Sequence, residues 1–241
     1  MLEQCKTENI IFLDIETAPQ HAEFNSLSPR MQELWLKKAD TLKIVGEGQS
    51  AADKDIYYRT AIYAEFGKII CISVGLITEK NNQKIIRIKS FAGDDEKKLL
   101  LDFSEMIKKL VPTTLLCAHN GKEFDFPYIS RRMIIHGIPL PKLLDLSGKR
   151  PWEVNHLDTM ELWKFGDYKS YTSLNLLTAI LNISTPKDDI DGGDVARVYW
   201  EEKDLKRIVT YCQKDVLAVA QIFLKFKGVA LLEENNIEIV E

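Results

Sequence analysis

Residues 10–17 read Ile-Ile-Phe-Leu-Asp-Ile-Glu-Thr, and the fold turns on why this apolar run carries two carboxylates, Asp14 and Glu16, at alternate positions. A run this rich in Ile and Phe is expected to be a strand buried on both faces, in which residues i and i+2 point the same way. Asp14 and Glu16 are therefore expected side by side, with Phe12 in line below them. Two anions that close repel each other and resist desolvation, so the arrangement calls for a raised pKa or a cation between them. The competing reading is a strand end at which both acids simply reach solvent.

Composition narrows the setting. A chain of 241 residues, 45% hydrophobic and 28% charged, has enough apolar surface for a substantial core and suits one domain over 1–241 with an insertion. The balance of 32 basic against 36 acidic residues, net −4, excludes a generally basic surface that coats nucleic acid, so any such contact has to be local. Cys5, Cys71, Cys117 and Cys212 lie far apart with no pair at zinc spacing, which argues against structural zinc. The N-terminus lacks a signal core and no apolar stretch approaches membrane length. The expected setting is a reducing cytoplasm without a membrane partner.

Around the opening strand the chain reads as three strands, helix, strand, helix, short strand and helices. Residues 20–66 form a polar insertion in which Ser28 caps a helix with Pro29 at its first position. "GKIICISVGLI" at 67–77 and "QKIIRIKSF" at 83–91 make an antiparallel hairpin turning across 79–82. "DDEKKLLLDFSEMIKKL" has helical spacing with acids first and lysines last, matching the helix dipole. "TTLLCAHN" is a fourth, buried strand, a helix runs from Phe126 to the Gly137 stop, and "NHLDT" finishes a connector as a short fifth strand. Helical patterns follow around 172–181, 195–200 and 203–226. The acidic loop at 184–193, with Asp188, Asp189 and Asp191, lacks the pattern of a calcium loop and is assigned no metal.

Two further acids stand out. Asp125 follows the fourth strand at a helix start, where a capping role is the plain alternative. Tyr211 and Asp215 lie at i and i+4 on the last helix, beside the apolar Val216, Val219, Ala220 and Phe223. In an α/β sheet of this order the four carboxylates can converge on one cleft, and oxygen ligands without His or Cys suit magnesium or manganese rather than zinc. A pair of divalent ions against Asp14 and Glu16 then resolves the oddity of the opening stretch.

Taken together, "DIET" at 14–17, "HNGKEFD" ending at Asp125 and "YCQKD" at 211–215 resemble the three motifs of DEDDy-type 3′–5′ exonucleases. The likeness is to the proofreading domain of family B DNA polymerases in a stand-alone bacterial form, and "HLDTMELW" and "TSLNLLTAIL" fit the region between the second and third motifs. It implies a ribonuclease H-like fold, a mixed five-stranded sheet with the first three strands antiparallel, flanked by helices. It also implies hydrolysis of phosphodiester bonds from the 3′ end of single-stranded DNA with two divalent metal ions, Mg2+ or Mn2+. Asp14 would bridge both ions, Glu16 and Asp215 hold the first, Asp125 support the second, and Tyr211 orient the attacking water. Thr17 and Asn120 would contact the terminal nucleotide. An exoribonuclease, and a catalytically silent nucleic-acid-binding protein, are the alternatives. A histidine branch is disfavoured because His21, His119, His136 and His156 all precede the last helix, and His119 reads as structural or substrate-adjacent. Lys122, Arg131, Arg132, Lys149, Arg150, Lys164 and Lys169 are candidate phosphate cations, and Trp35, Tyr57, Tyr58 and Tyr63 of the insertion are expected to pack on the core.

Overall fold

Alternate residues of the first strand, β1 (Ile10–Pro19), feed two different cores. Ile11, Leu13 and Ile15 pack with Leu99, Phe103, Phe126 and Ile129 on one face of the sheet. Ile10 and Phe12 pack with Val216, Val219 and Phe223 on the other, where the Phe12 and Phe223 rings lie 5.7 Å apart. Period-two alternation thus places Asp14 and Glu16 on the face covered by the last helix. The computed structural model describes residue 2 and residues 5–80, 83–167, 171–184 and 190–240, so Asn81, Asn82, Lys169, Asp188 and Asp189 lie outside the described residues.

β2 (Gly67–Lys80) pairs antiparallel with β1 and with β3 (Gln83–Ala92), as the hairpin pattern requires. β4 (Leu115–Ala118) lies parallel to β1, and β5 (Leu157–Asp158) parallel to β4. Among the described residues the sheet has six strands rather than five, in the order β5-β4-β1-β2-β3-β6. The sixth, β6 (Ile237–Val240), runs parallel to β3 at the edge, with Glu238 bonded to Lys80 at 2.7 Å. Four alternating residues near the end of a chain carry too little pattern to mark a strand, and the open edge of β3 is what makes them one.

The helices have plain local causes or roles. α1 (Pro29–Thr41) starts at the expected cap, where the Ser28 hydroxyl accepts from the Met31 N–H at 3.3 Å. α2 (Lys54–Tyr58) and the turn Arg59–Ile62 follow in the insertion. α3 (Glu96–Lys108) is capped by Asp95, and α4 (Asp125–Ile135) ends before Gly137 at φ 67°. α5 (Thr159–Lys164) and α6 (Leu174–Ile180) precede the short α7 (Val195–Arg197), and α8 (Leu205–Phe226) crosses the sheet. Among the described residues no helix is long and apolar enough to cross a membrane.

The insertion divides its aromatics between two jobs. Trp35 and Tyr57 are buried in a small core of their own, with the Trp35 indole donating to the Ala51 carbonyl at 2.8 Å. Tyr58 and Tyr63 pack partly buried against the same core, the Tyr63 ring 6.2 Å from Trp35, and their remaining surface lines the pocket described below. The insertion is clamped to the sheet by α4: Tyr128 donates to the Ala61 carbonyl at 2.7 Å and Arg132 to the Ala64 carbonyl at 2.8 Å. β2 must start with Gly67 there, because a Cβ would sit 2.3 Å from the Tyr128 hydroxyl and 2.7 Å from the Ala61 oxygen.

Candidate active site

β4 pairs with β1 only at Ile10, Ile11 and Phe12, after which the two strands part and leave the backbone of β1 open. Into that opening comes α4, whose first residue, Asp125, accepts the Ile15 N–H at 3.1 Å through Oδ1. Asp125 is therefore tied to the peptide between Asp14 and Glu16, rather than spent as a helix cap. A bulge in the β1–β2 pairing beside Glu16 and Thr17 bends the strand at the same level. From the other side, α8 brings Cys212 onto the Asp14 carbonyl at 3.5 Å and carries Tyr211 and Asp215 into the same space.

Asp14, Glu16, Thr17, Tyr211 and Asp215 line one open pocket of about 640 Å³ together with Phe124, Gly192, Gly193 and Ala196. Its opposite wall is the insertion: Ile44, Asp55, Tyr58, Arg59, Ala61, Ile62 and Tyr63. Asp125 sits beneath the floor, buried, and Thr17 is hydrogen-bonded to the Tyr128 hydroxyl. Asn120 is not among the pocket's lining residues; its backbone is at φ 63° and its side-chain oxygen is buried without a hydrogen-bond partner.

The electrostatics are those of crowded anions. Burial, then Glu16, Asp215 and Asp125, push the Asp14 carboxyl well above its ordinary range. Burial and Asp215 do the same to Glu16, and burial with Asp158 and Asp215 raises Asp125 to about 7. Among the described residues Asp14 Oδ2, a buried atom, has no hydrogen-bond partner. Burial and the same acids push the Tyr211 phenol up, so it stays protonated at neutral pH, hydrogen-bonded to Asp215. Ligand atoms of Asp14, Glu16 and Cys212 lie within 4.8 Å of one another. Burial and Cys71 hold the Cys212 thiol well above its usual range, which suits its role as a donor to the Asp14 carbonyl of β1.

A residue outside the predicted set organises the loop that delivers Asp125. Asp158, at the end of β5 and 2% exposed, accepts the N–H groups of Asn120 and Lys122 at 3.0 and 3.1 Å and those of Met160 and Glu161 at 2.9 and 3.2 Å. Gly121 lets that loop close, since a Cβ there would meet the Ala118 Cβ at 2.3 Å. His119 completes the tie through Thr159 and the Thr172 carbonyl, both at 2.9 Å, which makes it structural. Asp158→Ala is expected to lower kcat by about a hundredfold, through misplacement of Asp125, and Tm by several degrees. Single-turnover assays and thermal melts check it, and an unchanged kcat would remove the positioning role.

Of the candidate cations, Arg132 is reassigned: it is 2% exposed and forks onto Glu96, with Nε to Oε1 at 2.8 Å and Nη2 to Oε2 at 2.5 Å. Lys122 pairs with Glu161 at 2.8 Å, and with Arg131 and Lys149 it borders a separate groove along α4. Lys164 lies 4.6 Å from the Tyr171 ring and Arg150 stands 5.5 Å from the Trp152 ring.

The sheet is mixed, with β1–β3 antiparallel and β4 and β5 parallel to β1, and the acids gather where β1 and β4 diverge. Residues 60–237 match the family described as "Predicted 3'-5' exonuclease related to the exonuclease domain of PolB", and the chain belongs to that family. The matched stretch holds Asp125, Tyr211 and Asp215, while β1 brings Asp14 and Glu16 from outside it. Among solved structures the fold is similar to the family B DNA polymerase of the hyperthermophilic archaeon Pyrobaculum calidifontis, with a TM-score of 0.52 and 16% identity over 89% of this chain. The chain spans 24% of that polymerase.

Proposed function

We propose that residues 1–241 act as a single exonuclease domain that removes nucleotides from the 3′ end of single-stranded DNA, with Asp14, Glu16, Asp125 and Asp215 holding two magnesium or manganese ions. The observation that carries this reading is the buried, unpartnered Asp14 Oδ2 amid carboxylates pushed up by one another. An orphaned anionic oxygen in such a cluster fits a hard divalent cation, and the donor set is all oxygen. Bound ions of this kind neutralise charge on a scissile phosphate and acidify a water molecule.

The protein's own groups supply orientation. Tyr211, neutral and fixed through Asp215, presents one hydroxyl able to hold a water in line. Thr17 and the Phe124 ring line the same pocket as the acids, placing a hydroxyl and an apolar face where a terminal nucleotide would lie. DNA is favoured because a structurally similar protein is a DNA polymerase. The test is digestion of 5′-labelled single-stranded DNA and its RNA counterpart with magnesium, manganese or EDTA. A metal-dependent ladder shortening from the 3′ end of DNA is expected, with kcat lowered about a hundredfold in Tyr211→Phe. Preferential shortening of RNA would reassign the substrate, and no cleavage with any metal would overturn the enzyme.

A further inference from the structure

Arg59 lines the same pocket as Asp14, Glu16 and Asp215 and, among the described residues, is its one cationic lining residue. It is exposed, and among the described residues no hydrogen bond or ion pair engages it, although Asp55 lies one helical turn earlier on the same wall. A guanidinium left unpaired across a cavity from carboxylates is in place for an anion that enters between them. Beside it, Ile62 is 55% exposed, and Tyr58 and Tyr63 line the same pocket while packing half-buried on the insertion's own core.

The wall is held rigidly. Tyr128 and Arg132 of α4, both buried, fix the carbonyls of Ala61 and Ala64, and Asp125 begins that same helix. One helix therefore sets the spacing between the carboxylate floor and the insertion. Lys54 adds an outer tie to Glu201 at 2.8 Å.

We infer that residues 58–63 are the wall that grips the end of the strand, with Arg59 bonded to the phosphate next to the scissile one and Ile62 against the terminal base. The inference rests on the exonuclease reading and specifies its substrate: a single-stranded 3′ end with at least two phosphates inside the pocket. A phosphate clasped by Arg59 is absent from a mononucleotide ester, and that difference separates the wall from the acids.

The experiment compares wild type, Arg59→Ala, Arg59→Lys and Ile62→Ala on a single-stranded DNA oligonucleotide and on the p-nitrophenyl ester of thymidine 5′-monophosphate. Arg59→Ala is expected to lose about ten times more kcat/KM on the oligonucleotide than on the ester, mainly through KM. The salt dependence of log KM should fall in slope by about 0.7, the share of one phosphate contact on a single strand. Arg59→Lys should regain most of that slope, and Ile62→Ala should raise KM without altering it. Equal losses on both substrates, or wild-type behaviour of Arg59→Ala on the oligonucleotide, would overturn the wall. A wild type inactive on both substrates would instead overturn the exonuclease reading beneath it.

Discussion

Asp14→Asn is expected to lower kcat by at least about a thousandfold while making the metal-free protein more stable. The loss of activity follows from the size of the effect asked of bound cations, several kcal/mol in the transition state, each 1.36 kcal/mol being tenfold. The gain in stability follows from the burial and neighbouring acids that push the Asp14 carboxyl up. A carboxyl raised in the folded state leaves the fold most stable below the ordinary carboxylate range, with stability lost as pH rises toward the raised value. In EDTA the variant should therefore melt above wild type at neutral pH, by about 2–4 °C for each kcal/mol relieved, and the gap should close in acid. Saturating magnesium or manganese should reverse the order: at a hundred times Kd, wild type gains about 2.7 kcal/mol that the variant largely lacks. Melting curves in EDTA and in metal, beside activity, check both halves. An identical metal-induced rise in both proteins would remove the carboxylates from metal binding.

Much of this site was legible because its chemistry sits on strong periodic patterns. Asp14 and Glu16 interrupt a strand at period two, and Tyr211 and Asp215 share a face of a helix whose apolar stripe is plain, so each pair's neighbours followed from spacing alone. The six-stranded order differed from the expected five by a four-residue edge strand that only the sheet recruits. Asp158 was hidden differently: it accepts four backbone N–H groups, two of them from a loop almost forty residues upstream, and backbone partners leave no mark on a side-chain pattern. Arg132 had a readable clue. It lies i+4 from Tyr128 and i+3 from Ile129, on the buried stripe of α4, whereas its neighbour Arg131 is on the exposed face. Treating two adjacent arginines alike ignored the helical phase, which turns about 100° per residue. Arg59 offered no such clue, since its place across the pocket depends on how the insertion is clamped.

That clamp yields the largest expected loss of stability. Glu96 is buried and accepts four bonds: the Ile69 N–H at 2.7 Å, the Arg132 fork, and His136 Nε2 at 2.7 Å. Burial opposes its charge, but the hydrogen bonds and charge of Arg132 prevail and hold the Glu96 carboxyl below its ordinary value. Arg132→Met keeps much of the apolar stem while leaving that carboxylate buried without its guanidinium, at a cost of about 3–5 kcal/mol. For a chain of this length that lowers Tm by about 6–20 °C. The sign with pH is fixed by the direction of the shift: wild-type stability from Glu96 is present above the ordinary glutamate pKa and lost as pH falls through the depressed one. In the variant burial is opposed only by the Ile69 N–H and His136 and shifts Glu96 toward the neutral acid, so the gap between the two proteins should be widest near neutrality and narrow toward acid. Glu96→Gln in the Arg132→Met background should restore part of the loss, because it removes the stranded charge. Arg132 also holds the Ala64 carbonyl at 2.8 Å, so the variant should raise KM for oligonucleotides as the insertion loosens against α4. Melts across pH for the two single variants and the double variant measure the coupling. A gap independent of pH would mean that Arg132 stabilises the wall by packing alone and that the Glu96 charge plays no part.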